Sequence, residues 1–375
     1  MSDTLLIVAD SERNADMLYA TGMFVPDPFI WFRHRGRTTV VMSDLEIDRA
    51  MKEARANEVI AQTTISQPME KRLGRRPKLA EIIGVLFKQR SIRLAHVPSS
   101  FPLAFAEQLR KRGVRVWTDE KPFFPQREIK RPDEVRAIER ALRITETGLA
   151  AGIAAIRAAH IARDGRLTLA GSTLTSERVR AEIDIAMTRL GGIGAHTIVA
   201  GGAQACDPHE RGHGPLRANQ AIILDVFPRN ERTGYYGDMT RTVVRGRASD
   251  ALRRQFEAVR HAQRAAIRAI RAGIDGRTIH RMVQKVLEDA GYKTGVEHGR
   301  RQGFFHGTGH GLGLAVHEPP GMGVTPSRLK AGHVVTVEPG LYYHGVGGVR
   351  IEDVVLVTTS DCRVLSKFPV AFEIR

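Results

Sequence analysis

The order of elements constrains this chain most, because it runs twice. "PDEVRAIERALRITETGLAAGIAAIRAA" (132–159) opens with a proline and two acids, the mark of a helix start. Val135, Ile138, Leu142, Leu149, Ile153 and Ile156 then recur near the helical period. A second helical stretch, "SERVRAEIDIAMTRL" (176–190), leads to strand-like "HTIVAGG" (196–202) and to the pair "AIILDVF" (221–227) and "GYYGDMTRTVV" (234–244). From residue 250 the order returns. A long helix runs to about 272 before Gly273, and a shorter one, "GRTIHRMVQKVLEDAG" (276–291), follows. A Gly/His-rich segment then precedes "HVVTVEPGLYY" (333–343) and "GVRIEDVVLV" (348–357). Two helices followed by a strand pair, twice, predict a duplicated α+β unit with pseudo-two-fold symmetry.

Residues 1–120 read differently. "TLLIVA", "TTVVMS", "SIRLAHV" and "VRVWT" are strand-like, whereas "DLEIDRAMKEA" and "KLAEIIGVLFKQ" carry helical periodicity. An α/β domain over 1–125 and a second domain over 126–375 are expected, joined by the proline-bearing linker "DEKPFFPQREIKRP" (119–132). "PDPFIWFRHRG" (26–36) clusters Phe29, Trp31 and Phe32 and has two readings. It is either an interface anchor, placing Trp31 near the contact of a homodimer, or a buried strand of the domain's own sheet.

A net charge of +16 raises nucleic acid as a partner. The arginines are scattered among acids, and the dense clusters "KRLGRRPK" (71–78) and "RKRGVR" (110–115) are short and lack aromatics, so no specific nucleic-acid binding is expected. No apolar run approaches a bilayer span, and the opening "MSDTLLIVADSERN" lacks the pattern of a secretory leader. Two cysteines, Cys206 and Cys362, suit a reducing cytoplasm.

"HGTGHGLGLAVHE" (306–318) places three histidines among four glycines. His306 and His310 have the one-face helical offset, but each intervening glycine costs a helix about 1 kcal/mol relative to alanine. In an extended strand, His306, Thr308 and His310 share a face, with the two imidazoles roughly 13 Å apart. One ion cannot hold both. A metal site here takes a single histidine from the segment, and the glycines admit close approach of backbone or ligand.

The strand pairs carry acids. Asp225 and Asp238 flank the turn-forming "RNERTG", and a hairpin there sets them nearly opposite, about 5 Å apart. Glu338 and Glu352 flank "YYHGVGG" in the same way. Burying like charges in apolar strands costs several kcal/mol each unless they are neutralised. Solvated surface hairpins or pairing with arginines would also do so. A dinuclear site with mixed oxygen and nitrogen donors suits manganese, cobalt, iron or zinc.

"ILDVF…GYYGDMTRTV", "HGTGHGLGLAVHE", "TVEPGLYY" and "GVRIEDVV" together resemble the ordered signature of the pita-bread metallopeptidases: aminopeptidase P, prolidase and methionine aminopeptidase. The resemblance covers about 128–370, and the N-terminal domain with "REIKRPDEVRAIERA" is similar to the creatinase/prolidase branch. It implies an α+β pita-bread catalytic domain of duplicated helix–helix–hairpin units behind an α/β creatinase-like domain. It implies two divalent metal ions per subunit, manganese foremost, with cobalt, zinc or iron as alternatives. Asp225 would bind one metal, Asp238 and Glu352 would bridge both, and His310 and Glu338 would complete the other. His317 and His209 would face the substrate as catalytic histidines, and Glu352 would move the proton. His306 would line the pocket, and Arg350 would orient the bridge or bind a substrate carboxylate. The implied activity is cleavage of the Xaa-Pro bond at a peptide N-terminus, by a cytoplasmic homodimer acting on peptides with proline second.

Two positions depart from the family pattern. Val226, Phe227 and Pro228 follow the first aspartate where D-x-G is usual, and "HEPPGMG" has Gly321 where prolidases carry an arginine. The latter favours longer peptides over dipeptides. The alternatives are an Xaa-Pro dipeptidase, a creatinase-like enzyme acting on a non-peptide C–N bond, and a catalytically idle peptide-binding module. Creatinase needs no metal, and idle members lose ligands, whereas this chain keeps all five ligand types. A Cys206–His209 hydrolase has spacing alone in its favour.

Overall fold

The computed structural model describes residues 4–194 and 196–375. Contacts divide the chain into two compact units after Arg127.

The N-terminal unit is built on a mixed sheet. Its strands, β1 (Thr4–Ala9), β2 (Phe29–His34), β3 (Arg37–Met42), β4 (Glu58–Ala61), β5 (Leu94–His96) and β6 (Arg115–Trp117), lie in the order β4-β3-β2-β1-β5-β6. The helices are α1 (Ala15–Thr21), α2 (Ile47–Glu53), α3 (Gln62–Leu73), α4 (Leu79–Gln89) and α5 (Leu103–Arg110). Apolar clusters cover both sheet faces, so central strands read as continuous apolar runs rather than alternating ones.

That coverage decides "FIWF". Phe29, Ile30, Trp31 and Phe32 are all buried in β2. Phe32 meets Phe87 of α4 edge-on at 5.3 Å, and Trp31 meets Phe124 at 5.6 Å. Trp31 is therefore a core residue of its own sheet, the second of the two readings, and not an exposed interface anchor. The linker reading also needs correction. Phe123 and Phe124 are buried and pack edge-on at 4.9 Å, so these two residues of the segment belong to the core of the first unit.

The second unit shows the duplication. Helices α6 (Pro132–Ala158) and α7 (Ser176–Thr188) precede strands 198–201, 222–226 and 239–245, which form a four-stranded sheet with 373–374. Helices α8 (Asp250–Ala269) and α9 (Gly276–Asp289) precede strands 309–311, 334–337 and 353–357, the centre of a five-stranded sheet edged by 318–322 and 362–364. A helix pair beside a sheet recurs in both halves, which is the pita-bread architecture. The carboxylates come from these two sheets.

Candidate metal centre

The first hairpin sits two residues from its expected register. Asp225 pairs across the ladder with Thr240, and Val226 with Met239, so Asp238 stands just outside the paired strand. A two-residue offset preserves the face of a strand, and both aspartates still point into one cavity. The second pair matches its spacing. Val337 pairs with Asp353 in one ladder and Gly340 with Arg350 in the next. Continuing either register puts Glu338 opposite Glu352, at the break where the chain leaves one sheet for the other.

A cavity of about 800 Å³ is lined by Asp225, Asp238, His310, Glu338, Glu352, His209, His306, His317 and Arg350. Every residue singled out in the sequence for the site therefore borders one space. Asp238, His310 and Glu352 each offer a ligand atom, and these atoms lie within 4.8 Å of one another. His310 Nε2 is 3.2 Å from Glu338 and 3.7 Å from Asp238. Its Nδ1 lies 3.1 Å from the Gly311 carbonyl, which assigns the proton there and leaves Nε2 for a ligand.

The three histidines of the Gly/His segment are not equivalent. Only Gly309–Gly311 is a strand, and its register shifts within that span. Thr308 Oγ1 meets His280 of α9 at 3.0 Å while His310 faces the cavity, so the single-face alternation expected from His306 to His310 is broken. His306 has both ring nitrogens engaged, Nδ1 with the Gly307 carbonyl at 2.8 Å and Nε2 with the Tyr342 hydroxyl at 2.9 Å. Burial pushes it down to about 4, so it is a neutral wall residue. His317 stands edge-on to His310 at 4.3 Å, open to solvent, and His209 is exposed at the same cavity.

The alternating glycines have a steric cause. A Cβ at Gly309 would lie 2.0 Å from the Thr336 carbonyl oxygen, one at Gly311 2.4 Å from that of Glu318, and one at Gly313 2.3 Å from the Glu318 carboxylate. Only glycine lets the His310 strand lie this close to its neighbours. Gly309→Ala should displace His310 from Glu338 and cost about 1–3 kcal/mol of stability. Metal titration and urea unfolding of this variant check it; unchanged metal affinity would refute the steric account.

Supporting residues escaped the sequence reading. Thr240 Oγ1 donates to Glu352 Oε2 at 2.8 Å. Thr336 Oγ1 donates to Glu338 at 3.1 Å and accepts the His310 N–H at 3.0 Å. Each threonine stands two residues from an acid at the adjoining strand end ("DMT", "TVE"), a signal the sequence did contain. Arg350 is 3% exposed. Its guanidinium holds Asp225 Oδ2 at 2.6 Å and the Tyr342 hydroxyl at 2.9 Å, so its visible partners belong to the protein. Phe227, from the departure at D-x-G, forms part of the cavity wall.

The charge distribution fits cations. Burial, then the neighbouring carboxylates, hold Asp238 and Glu352 well above the ordinary carboxylate range. Glu338 runs the other way despite its burial, down to about 2, because His310 hydrogen-bonds to it. Asp225 Oδ1 is buried with no hydrogen-bond partner among the described residues. Four converging carboxylates, one with an orphaned oxygen, and the His310 Nε2 that faces them make a donor set for divalent metal.

Fold and site together define a hydrolase of the pita-bread type whose clustered donors suit divalent metal. The chain belongs to metallopeptidase family M24, whose model matches residues 136–359, and it is a peptidase of a family that uses divalent metal. It is 27% identical over 277 residues to an Xaa-Pro dipeptidase of Pyrococcus horikoshii, covering 72% of each chain. Among solved structures it resembles an X-Pro aminopeptidase from Thermotoga maritima (TM-score 0.84, 23% identity), covering 100% of this chain and 98% of that one. It likewise resembles the prolidase of Pyrococcus horikoshii (TM-score 0.79, 25% identity), covering 98% and 95%. Among the described residues no helix is long and apolar enough to cross a membrane.

Proposed function

We propose that the protein is a two-metal Xaa-Pro aminopeptidase. One observation carries this reading: Asp225, Asp238, His310, Glu338 and Glu352 converge on one cavity, two of the acids held against ionisation by burial and mutual charge. Asp225 would hold one ion, His310 and Glu338 the other, with Asp238 and Glu352 between them. Ions held there would supply positive charge to activate a water and polarise the scissile carbonyl. Glu352, fixed at Oε2 by Thr240, keeps Oε1 to take the water proton and deliver it to the leaving nitrogen. His317 and His209, exposed at the cavity, would donate hydrogen bonds to the developing oxyanion. His306 walls the pocket, and Arg350 holds Asp225 in place. Manganese, a homodimer and a cytoplasmic location belong to the same proposal; both cysteines are free thiols.

Proline as the second residue leaves a tertiary amide at the scissile bond, with no N–H to recognise. Substrate length separates aminopeptidase from dipeptidase. The Pyrococcus relative is named for dipeptides, but here the position is Gly321, which has no side chain to hold a carboxylate. With manganese added, Ala-Pro-Ala should be cleaved with higher kcat/KM than Ala-Pro. A clear preference for Ala-Pro would restore the dipeptidase reading.

A further inference from the structure

A second cavity, of about 950 Å³, adjoins the candidate metal site, and the two share Phe305, His306, Gly307, Gly309 and His317 as walls. Its far side is formed by two lips. One is a two-stranded ribbon, Gly295–Glu297 with Arg300–Gln302, turned at His298 and Gly299, both at positive φ. Such a tight turn holds the ribbon in one twist. The other is the stretch around Val324. Val296 and Val324, one on each lip, are 68% and 77% exposed.

Arg301 pairs directly across the ribbon with Val296, so the two share a face, and both line the cavity. Among the lining residues it is the one lysine or arginine, it is exposed, and no hydrogen bond or ion pair engages it among the described residues. The lining that Arg301 shares includes the apolar Phe304, Pro319, Pro320 and Met322 beside polar residues such as Gln284 and Glu318. An unpaired guanidinium in a partly apolar trough matches one chemical pattern: an apolar side chain ending in a carboxylate.

We infer that Arg301 and this trough form the subsite for the C-terminal end of the peptide, selecting short peptides with an apolar residue after the proline and a free terminal carboxylate. The inference rests on the aminopeptidase reading and specifies its substrate. The carboxylate anchor is thereby moved from the neighbourhood of Gly321 to the ribbon, which requires a longer peptide to reach it. Arg300 is the natural control: it pairs with Glu297, one position along the same strand, and so points to the opposite face.

Product peptides read the subsite without turnover. Pro-Leu and Pro-Leu-Leu, each as free acid and as C-terminal amide, would be titrated into the manganese-loaded protein by calorimetry. For at least one length the acid should bind about fivefold more tightly than the amide, the weight of an exposed ion pair. That preference should vanish in Arg301→Gln and survive in Arg300→Gln, which removes the same charge. Equal binding of acid and amide at both lengths, a preference that persists in Arg301→Gln, or no binding by any of the four would overturn the assignment. An acid preference in a protein that cleaves no Xaa-Pro bond would instead refute the activity while leaving the subsite.

Discussion

Asp238→Asn should stabilise the chelator-treated protein at pH 8 and at the same time abolish its use of metal. Without cations, Asp238 is buried among Asp225, Glu338 and Glu352, and its folded pKa lies well above its value in the unfolded chain, as does that of Glu352. A carboxyl with a raised folded pKa contributes stability that is fully present below the unfolded value near pH 4 and is lost as pH rises through the folded one. Metal-free protein should therefore weaken on going from about pH 4 to pH 8, and the neutral amide should remove much of that loss, on the order of 2 kcal/mol. Manganese reverses the sign, because cations bind the ionised pair in the folded state alone. The wild type should gain stability with added manganese and Asp238→Asn should gain little, with activity down by at least about 100-fold, beyond the loss typical of an outer supporting residue. His317→Ala is the contrast: it should keep the metal response and lose turnover. Thermal melts with chelator and with manganese, at pH 5 and pH 8, check all of this. A metal-free Asp238→Asn protein less stable than wild type at pH 8 would contradict the electrostatic reading of the site.

The parts of this centre legible in the sequence were those written in local spacing. Glu338 and Glu352 could be placed because both ladders around them keep one register. Asp225 and Asp238 could be placed only to within two residues, since Arg229–Asn230 makes its own short pairing with Gly192–Ile193 inside the connecting loop. The Asp225–Arg350 pair joins residues on different sheets, and nothing in either local pattern announces it. "FIWF" failed as a surface feature for a related reason. A strand covered on both faces loses its alternation, so its apolar run looks the same whether a partner subunit or the domain's own helices cover it. Thr240 and Thr336 were legible in principle, because strand periodicity puts each on the face of the nearby acid.

Lys130→Met should be among the most destabilising single changes in the second unit, although Lys130 is not itself one of the predicted ligands. Lys130 immediately precedes Arg131, the N-cap of α6, and its ammonium is paired with the carboxylate of Glu318, the residue after His317. The two side chains are 1% and 7% exposed, so neither charge is solvated if the other is removed. Gly313 makes room for the carboxylate, because a Cβ there would collide with it. Removing one member of a buried pair costs about 3–5 kcal/mol, whereas replacing both with neutral groups is often close to neutral. Lys130→Met should thus lose about 3–5 kcal/mol, and Lys130→Met/Glu318→Gln should recover most of it, a coupling that an exposed pair worth under about 1 kcal/mol could not produce. Both tryptophans, Trp31 and Trp117, lie in the first unit, so unfolding of the second must be followed by circular dichroism rather than tryptophan emission. The stable double variant then separates folding from function. His317 adjoins Glu318, so loss of the pair frees the segment that aims its imidazole, and kcat should remain depressed after stability returns. Full recovery of kcat in the double variant would confine the pair to folding, and a cost below about 1 kcal/mol for Lys130→Met would show that the pair is not buried in solution.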